Sequence, residues 1–218
     1  MNKKTQIKEI ICIFSKKYPN PECALTHKTP WELLVATILS AQCTDKRVNM
    51  VTPDLFKKFP TAEETANASI EELEELIKST GFYHNKAKNI KACAEKLVKE
   101  YNGTIPQNID EMVKLPGVGR KTANVVLGNA FGIASGIVVD THVSRISQKL
   151  GLTKEKDPVK IENDLKKIVP QKYWVSFSHW LVFHGRERCI ARRPQCVDCE
   201  LEKICPKLDY NKIGEKNE

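Results

Sequence analysis

The chain has 218 residues, 41% of them apolar, which is enough to bury one large core or two small ones and too many for a disordered chain. The longest strongly apolar run, residues 33–39, is too short to cross a bilayer, and the start Met1-Asn2-Lys3-Lys4 lacks the apolar stretch of a signal peptide, so no membrane partner and a cytoplasmic location are expected. A net charge of +8 and a pI near 9.0 suit a polyanionic partner, because each phosphate neutralised by Lys or Arg releases counterions; ordinary solubility charge is the alternative.

In chain order, helix starts are marked by side chains that accept from free N–H groups, each with Glu three positions on. Four capping boxes are predicted, Thr29 to Glu32, Thr61 to Glu64, Ser69 to Glu72 and Asn108 to Glu111. Apolar spacing predicts helices near 5–18, 30–42, 45–58, 70–79, 85–101, 109–114, 119–131, 141–150, 158–169 and 171–184, with 137–139 a short extended link. Pro30 and Pro158 fit first-turn positions, while Gly103 and Gly117 fit helix stops. Trp31, Trp174 and Trp180 fall in apolar helical patterns and are expected in the core. No strand-rich alternation, fixed-period repeat or low-complexity tract appears, so the fold class is all-α.

Between two of these helices runs Leu115-Pro116-Gly117-Val118-Gly119-Arg120-Lys121-Thr122-Ala123. Its glycines let the backbone turn tightly and expose N–H groups at a helix start, where the partial positive charge favours an anion such as a phosphate. Arg120 and Lys121 are cations in a first turn, against the macrodipole, and local rules tend to be broken where function demands it. The same field favours the neutral amine that a nucleophilic lysine requires. Nineteen residues after Lys121 comes Asp140, in Val138-Val139-Asp140-Thr141-His142. Asp140 is equally well placed to cap the helix that follows, and one carboxylate can do both.

Eight cysteines divide into scattered Cys12, Cys23, Cys43 and Cys93, read as core residues, and a terminal array Cys189, Cys196, Cys199 and Cys205 spaced x6, x2 and x5. Four thiolates so close suit a tetrahedral metal or a cubane cluster. The single C-x2-C knuckle departs from the paired knuckles of zinc sites and favours a cluster. Arg192 and Arg193 lie inside the array, with Arg186 and Arg188 just ahead, either as a phosphate grip or as counter-charge for an anionic cluster. His142 and His184 lack clustered partners and are read as structural; Lys86 and Lys88 either meet phosphate or line a solvated helix face.

Residues 115–123, Val139-Asp140-Thr141-His142, His184-Gly185-Arg186 and the four-cysteine array, with Leu39-Ser40-Ala41-Gln42 and Gly81-Phe82-Tyr83 further towards the N-terminus, cover nearly the whole chain. In these the sequence resembles the endonuclease III family, bifunctional DNA glycosylase/AP lyases of the helix-hairpin-helix superfamily. The resemblance implies a two-lobed all-α fold. One lobe, 23–133, is a six-helix barrel carrying the hairpin; the other joins 1–22 to 134–218 and carries a largely structural [4Fe-4S] cluster on Cys189, Cys196, Cys199 and Cys205.

The resemblance further implies a nucleoid-associated monomer acting on damaged double-stranded DNA, removing oxidised pyrimidines and cutting the abasic site by β-elimination. Lys121 is then the nucleophile and Asp140 the essential carboxylate, facing each other across a cleft. Gln42 and Phe82 probe the duplex beside the lesion. Leu115, Gly117, Val118, Gly119 and Arg120 of the hairpin lie on the phosphate backbone, as do Arg192 and Arg193. Phe82 stands where such relatives commonly carry leucine, and a phenyl ring can still wedge between bases. Two other readings compete: a non-catalytic hairpin module that binds DNA, which leaves Lys121 and Asp140 unexplained, and an adenine-specific mismatch glycosylase, whose kind usually lacks the lysine and carries a further C-terminal domain.

Overall fold

The structure, a computed structural model, describes residues 2–207, and among these every regular element is helical. The chain forms two units, Cys23–Ser135 and Met1–Glu22 with Gly136–Glu218.

In the contiguous unit, α2 (Pro30–Leu39) is apolar all round and buries Trp31, Leu33, Leu34, Val35, Ala36, Ile38 and Leu39, the pattern of a helix enclosed by others. It packs against α3 (Asp45–Lys58), α6 (Tyr83–Tyr101) and α8 (Arg120–Phe131). The short α4 (Ala62–Asn67) lies on α6, α5 (Ile70–Ile77) touches both α3 and α6, and the single turn α7 (Ile109–Met112) leads into the hairpin. Six helices, the single turn α7 and a 3-10 turn, Lys78–Thr80, thus close around a core that includes Leu33, Leu34, Ile77, Ile90, Leu97 and Met112.

The other unit packs α1 (Lys3–Lys17) on α10 (Pro158–Ile168), and α9 (Thr141–Lys149) on α11 (Trp174–Glu187). Its core includes Ile7, Ile10, Phe14, Ile146, Leu165, Phe177 and Leu181. Residues 137–139 form the expected non-helical link, where Val138 N–H donates to Ser178 Oγ at 2.9 Å.

Two of the four predicted capping boxes close fully, Thr61 with Glu64 and Ser69 with Glu72. The other two keep only half of the exchange. Thr29 caps Glu32 N–H, but the Glu32 carboxylate accepts from Lys28 N–H instead. Asn108 accepts from Asp110 and Glu111, while the Glu111 carboxylate is drawn to Tyr101 and Lys114. The helix α4 itself escaped the periodicity, being only six residues long. Trp31 and Trp180 are buried as expected, and the half-buried Trp174 donates Nε1–H to Val169 O. Of the scattered cysteines only Cys93 is fully buried; Cys12 is exposed, which corrects its reading as a core residue. Among the described residues no helix is long and apolar enough to cross a membrane.

Candidate functional site

The hairpin turns on one hydrogen bond, Val118 N–H to Leu115 O at 3.1 Å, with Pro116 and Gly117 in the middle of the turn. Gly117 has φ +74°, and a Cβ there would come within 2.9 Å of Asn89 Cβ, so both backbone and packing require glycine. Gly119 differs. At φ −87° it sits in extended backbone open to any residue, and a Cβ would meet nothing within 4 Å, so neither the turn nor the packing requires glycine there. No side chain caps α8, which leaves the first-turn N–H groups facing outward beside the exposed Arg120 and Lys121. Leu115 and Val118 are buried in the core and anchor the turn, so these two can offer DNA only their backbone.

Gln42 and Phe82 come together with this hairpin. They line one cavity of about 250 Å³ with Ile38, Ala41, Lys86, Asn89 and Gly117. Both hold left-handed backbone without being glycine, Gln42 at φ +53° and Phe82 at φ +50°, a strained state that concentrates at functional positions. Phe82 is 64% exposed, a large apolar ring offered to solvent. Lys86 fits neither sequence reading: it is 5% exposed, and its ammonium donates to Leu39 O at 2.8 Å and Thr80 O at 2.9 Å. Lys88 lies on the exposed face of α6.

In the other unit Asp140 caps α9, its Oδ1 accepting from Val143 N–H at 2.8 Å, and its charge also acts on the neighbouring His142. His142 lies against Gly185, where a Cβ would come within 2.7 Å of its ring. Burial lowers the His142 pKa.

Cys189, Cys196, Cys199 and Cys205 line a single cavity of about 190 Å³, together with Ile146, Lys149, His184 and Arg188. Burial raises the thiol pKa of Cys189, Cys199 and Cys205. His184 Nε2 is 3.8 Å from Cys199 Sγ, and with a Glu200 carboxylate oxygen these atoms lie within 4.8 Å of one another, a possible metal-binding group. The partners that the spacing did not show for His184 are therefore present, although burial holds its imidazole near 4 and it also packs on Phe14. Sequence reasoning missed Arg145, a buried guanidinium on the apolar face of α9 that donates to Cys189 O at 2.6 Å and ties the helix to the first cysteine. Arg192 and Arg193 sit at the exposed tip of a loop closed by Gln195 N–H to Arg188 O.

The helical fold and its hairpin define a class: the family described as HhH-GPD superfamily base excision DNA repair protein matches residues 35–171. An endonuclease III of Synechocystis is 55% identical over 94% of this chain and 94% of the relative, and that of Bacillus subtilis 48% identical over 86% of each. A solved structure of a trapped endonuclease III–DNA covalent intermediate, an estranged-adenine complex, is 45% identical and covers 95% of this chain and 97% of that one, with a TM-score of 0.88. The chain belongs to the endonuclease III family, DNA glycosylases with AP lyase activity that serve base excision repair.

Proposed function

We propose that the protein removes oxidised pyrimidines from duplex DNA, with Lys121 as nucleophile and Asp140 as the supporting carboxylate, and then cuts the abasic strand by β-elimination. Lys121 carries this reading: an exposed amine in the first turn of an uncapped helix, directly behind a glycine turn suited to phosphate. The damaged nucleotide rotates out of the stack at a cost of a few kcal/mol, least where damage has weakened stacking. Gln42 and Phe82 fill the space it leaves. Gly117, Gly119 and Arg120, with the backbone of Leu115 and Val118, hold the phosphates, and Arg192 and Arg193 add a second contact.

As the base departs with the electrons of its glycosidic bond, positive character at C1′ is stabilised by the Asp140 carboxylate. The Lys121 amine bonds to C1′ and loses its protons as the sugar ring opens, leaving an imine. Removal of a C2′ proton then expels the 3′ phosphate, and water hydrolyses the imine to free Lys121.

The four cysteines fit a [4Fe-4S] cluster: all four line one cavity, Arg145 and Lys149 supply positive charge beside Cys189, and Lys149 also lies close to Cys205. Bound there, the cluster supplies a structural cross-link for the chain after α11. The protein works in the cytoplasm on nucleoid DNA as a monomer, with the hairpin in the 23–133 lobe and the cluster in the lobe of 1–22 and 134–218.

The test is incubation with duplexes containing thymine glycol, an abasic site or an A:8-oxoguanine pair, with and without borohydride. Base release from thymine glycol, strand scission and a trapped adduct are expected. DNA retention without reaction supports the binding module, and selective release of adenine supports the mismatch glycosylase.

A further inference from the structure

Lys86 is the one buried lysine of the contiguous unit among the described residues, and its surroundings do not explain it as packing. A methionine of similar length would fill the same volume without the cost of burying an ammonium, a cost visible in the lowered pKa of Lys86, which Cys43 only partly offsets. What the ammonium obtains is specific. It donates to Leu39 O, at the end of α2, and to Thr80 O, at the end of the 3-10 turn Lys78–Thr80, two carbonyls 41 positions apart in sequence that one charged donor ties together.

Each tied carbonyl stands two or three residues before a strained position. Three residues after Leu39 comes Gln42, and two after Thr80 comes Phe82, the two non-glycine residues of this unit's cavity in left-handed backbone. Lys86 itself grows from the first turn of α6, where its backbone N–H donates to Phe82 O at 3.1 Å. One residue thus holds Phe82 through the backbone and both segments through its side chain. We infer that Lys86 is a positioning residue, whose buried ammonium locks the ends of α2 and the 3-10 turn together so that Gln42 and Phe82 are presented, preformed, to the DNA beside the lesion.

The inference rests on the reading of Gln42 and Phe82 as duplex probes, and the experiment separates the two. Lys86→Met, Lys86→Arg, Gln42→Ala/Phe82→Ala and the combined variants are compared in the full, cluster-loaded protein on a thymine-glycol duplex and, by borohydride trapping, on a single-stranded abasic oligonucleotide, which needs no base pair opened. Lys86→Met is expected to lose about tenfold or more in kcat/KM on the duplex and to keep its single-strand trapping rate within about twofold. It should add little to Gln42→Ala/Phe82→Ala, since residues acting as a unit are non-additive. Lys86→Arg, which can reach the same carbonyls, should recover part of the loss; should Lys86→Met fail to fold, the comparison of Lys86→Arg with Lys86→Gln gives the same reading, Gln being the poorer on duplex alone. Equal losses on both substrates, or full additivity with the probe variants, overturn the role of Lys86. If Gln42→Ala/Phe82→Ala leaves duplex activity intact, the probe reading fails and the Lys86 role falls with it.

Discussion

At Asp140 the cap is observed, Oδ1 accepting from Val143 N–H, while the catalytic task proposed for the same carboxylate is what a substitution must separate from it. Asp140→Asn keeps an oxygen for the cap, so thermal melting should show at most a few tenths of a kcal/mol lost, whereas Asp140→Ala should lose about 1 kcal/mol. Base release in single-turnover kinetics should fall in both by about 10²–10³, the scale of losing a preorganised electrostatic group. Activity in Asp140→Asn that tracks its stability alone would reduce the residue to a cap. The two hairpin glycines separate in the same way. Gly117→Ala must strain φ +74° and crowd Asn89, for roughly 1–3 kcal/mol of lost stability, while Gly119→Ala, which meets neither obstacle and loses only the N-cap preference for glycine over alanine, should cost less than about 1 kcal/mol and show its main effect on DNA binding, measured by titration of a labelled duplex.

These residues were legible in the sequence because a glycine turn, a misplaced cation and a cap-competent aspartate lie close together in the chain. Lys86 and Arg145 were not, because a lysine or arginine on a helix reads as solvated until the packing shows its ammonium or guanidinium bound to carbonyls. The left-handed backbone of Gln42 was hidden for a related reason: no glycine or asparagine marks it.

At the level of elements, propensity and capping located most helices, since each cap acts within four residues of its target. What the sequence left open was the competition for a carboxylate. Glu111 matches the box pattern as well as Glu72 does, yet Tyr101, brought near by the fold, takes it. Ser69→Ala should cost about 1 kcal/mol of stability in denaturant titration, because it removes the acceptor for Glu72 N–H. The Glu72 carboxyl is held at about 2, below its ordinary 4.5, first by the Lys58 ammonium and then by Ser69. Its support is therefore complete above about pH 4.5 and is lost as pH falls towards 2, so Glu72→Gln should flatten that part of the stability-against-pH curve. An unchanged acid limb would show that the unfolded chain holds this carboxyl equally low.

For the whole molecule, two separate apolar cores and a chain that leaves one unit and returns to it explain why periodicity gave the helices but not their grouping: contacts such as Gln6 Nε2 to Leu150 O and Ile204 O join residues far apart in sequence. Residues 188–207 contain turns but no helix, so if the four cysteines hold the proposed [4Fe-4S] cluster, its removal by oxidation and chelation should lower the melting temperature of the terminal unit, followed by circular dichroism; an unchanged melt would deny the cysteines that structural role. The most direct test of the central claim is the peptide map of the borohydride-trapped complex. A sugar remnant on Lys121 blocks tryptic cleavage there, so the adduct should appear on residues 121–145, and Lys121→Ala should yield none. An adduct carried by any other peptide, or one that survives in Lys121→Ala, contradicts the assignment.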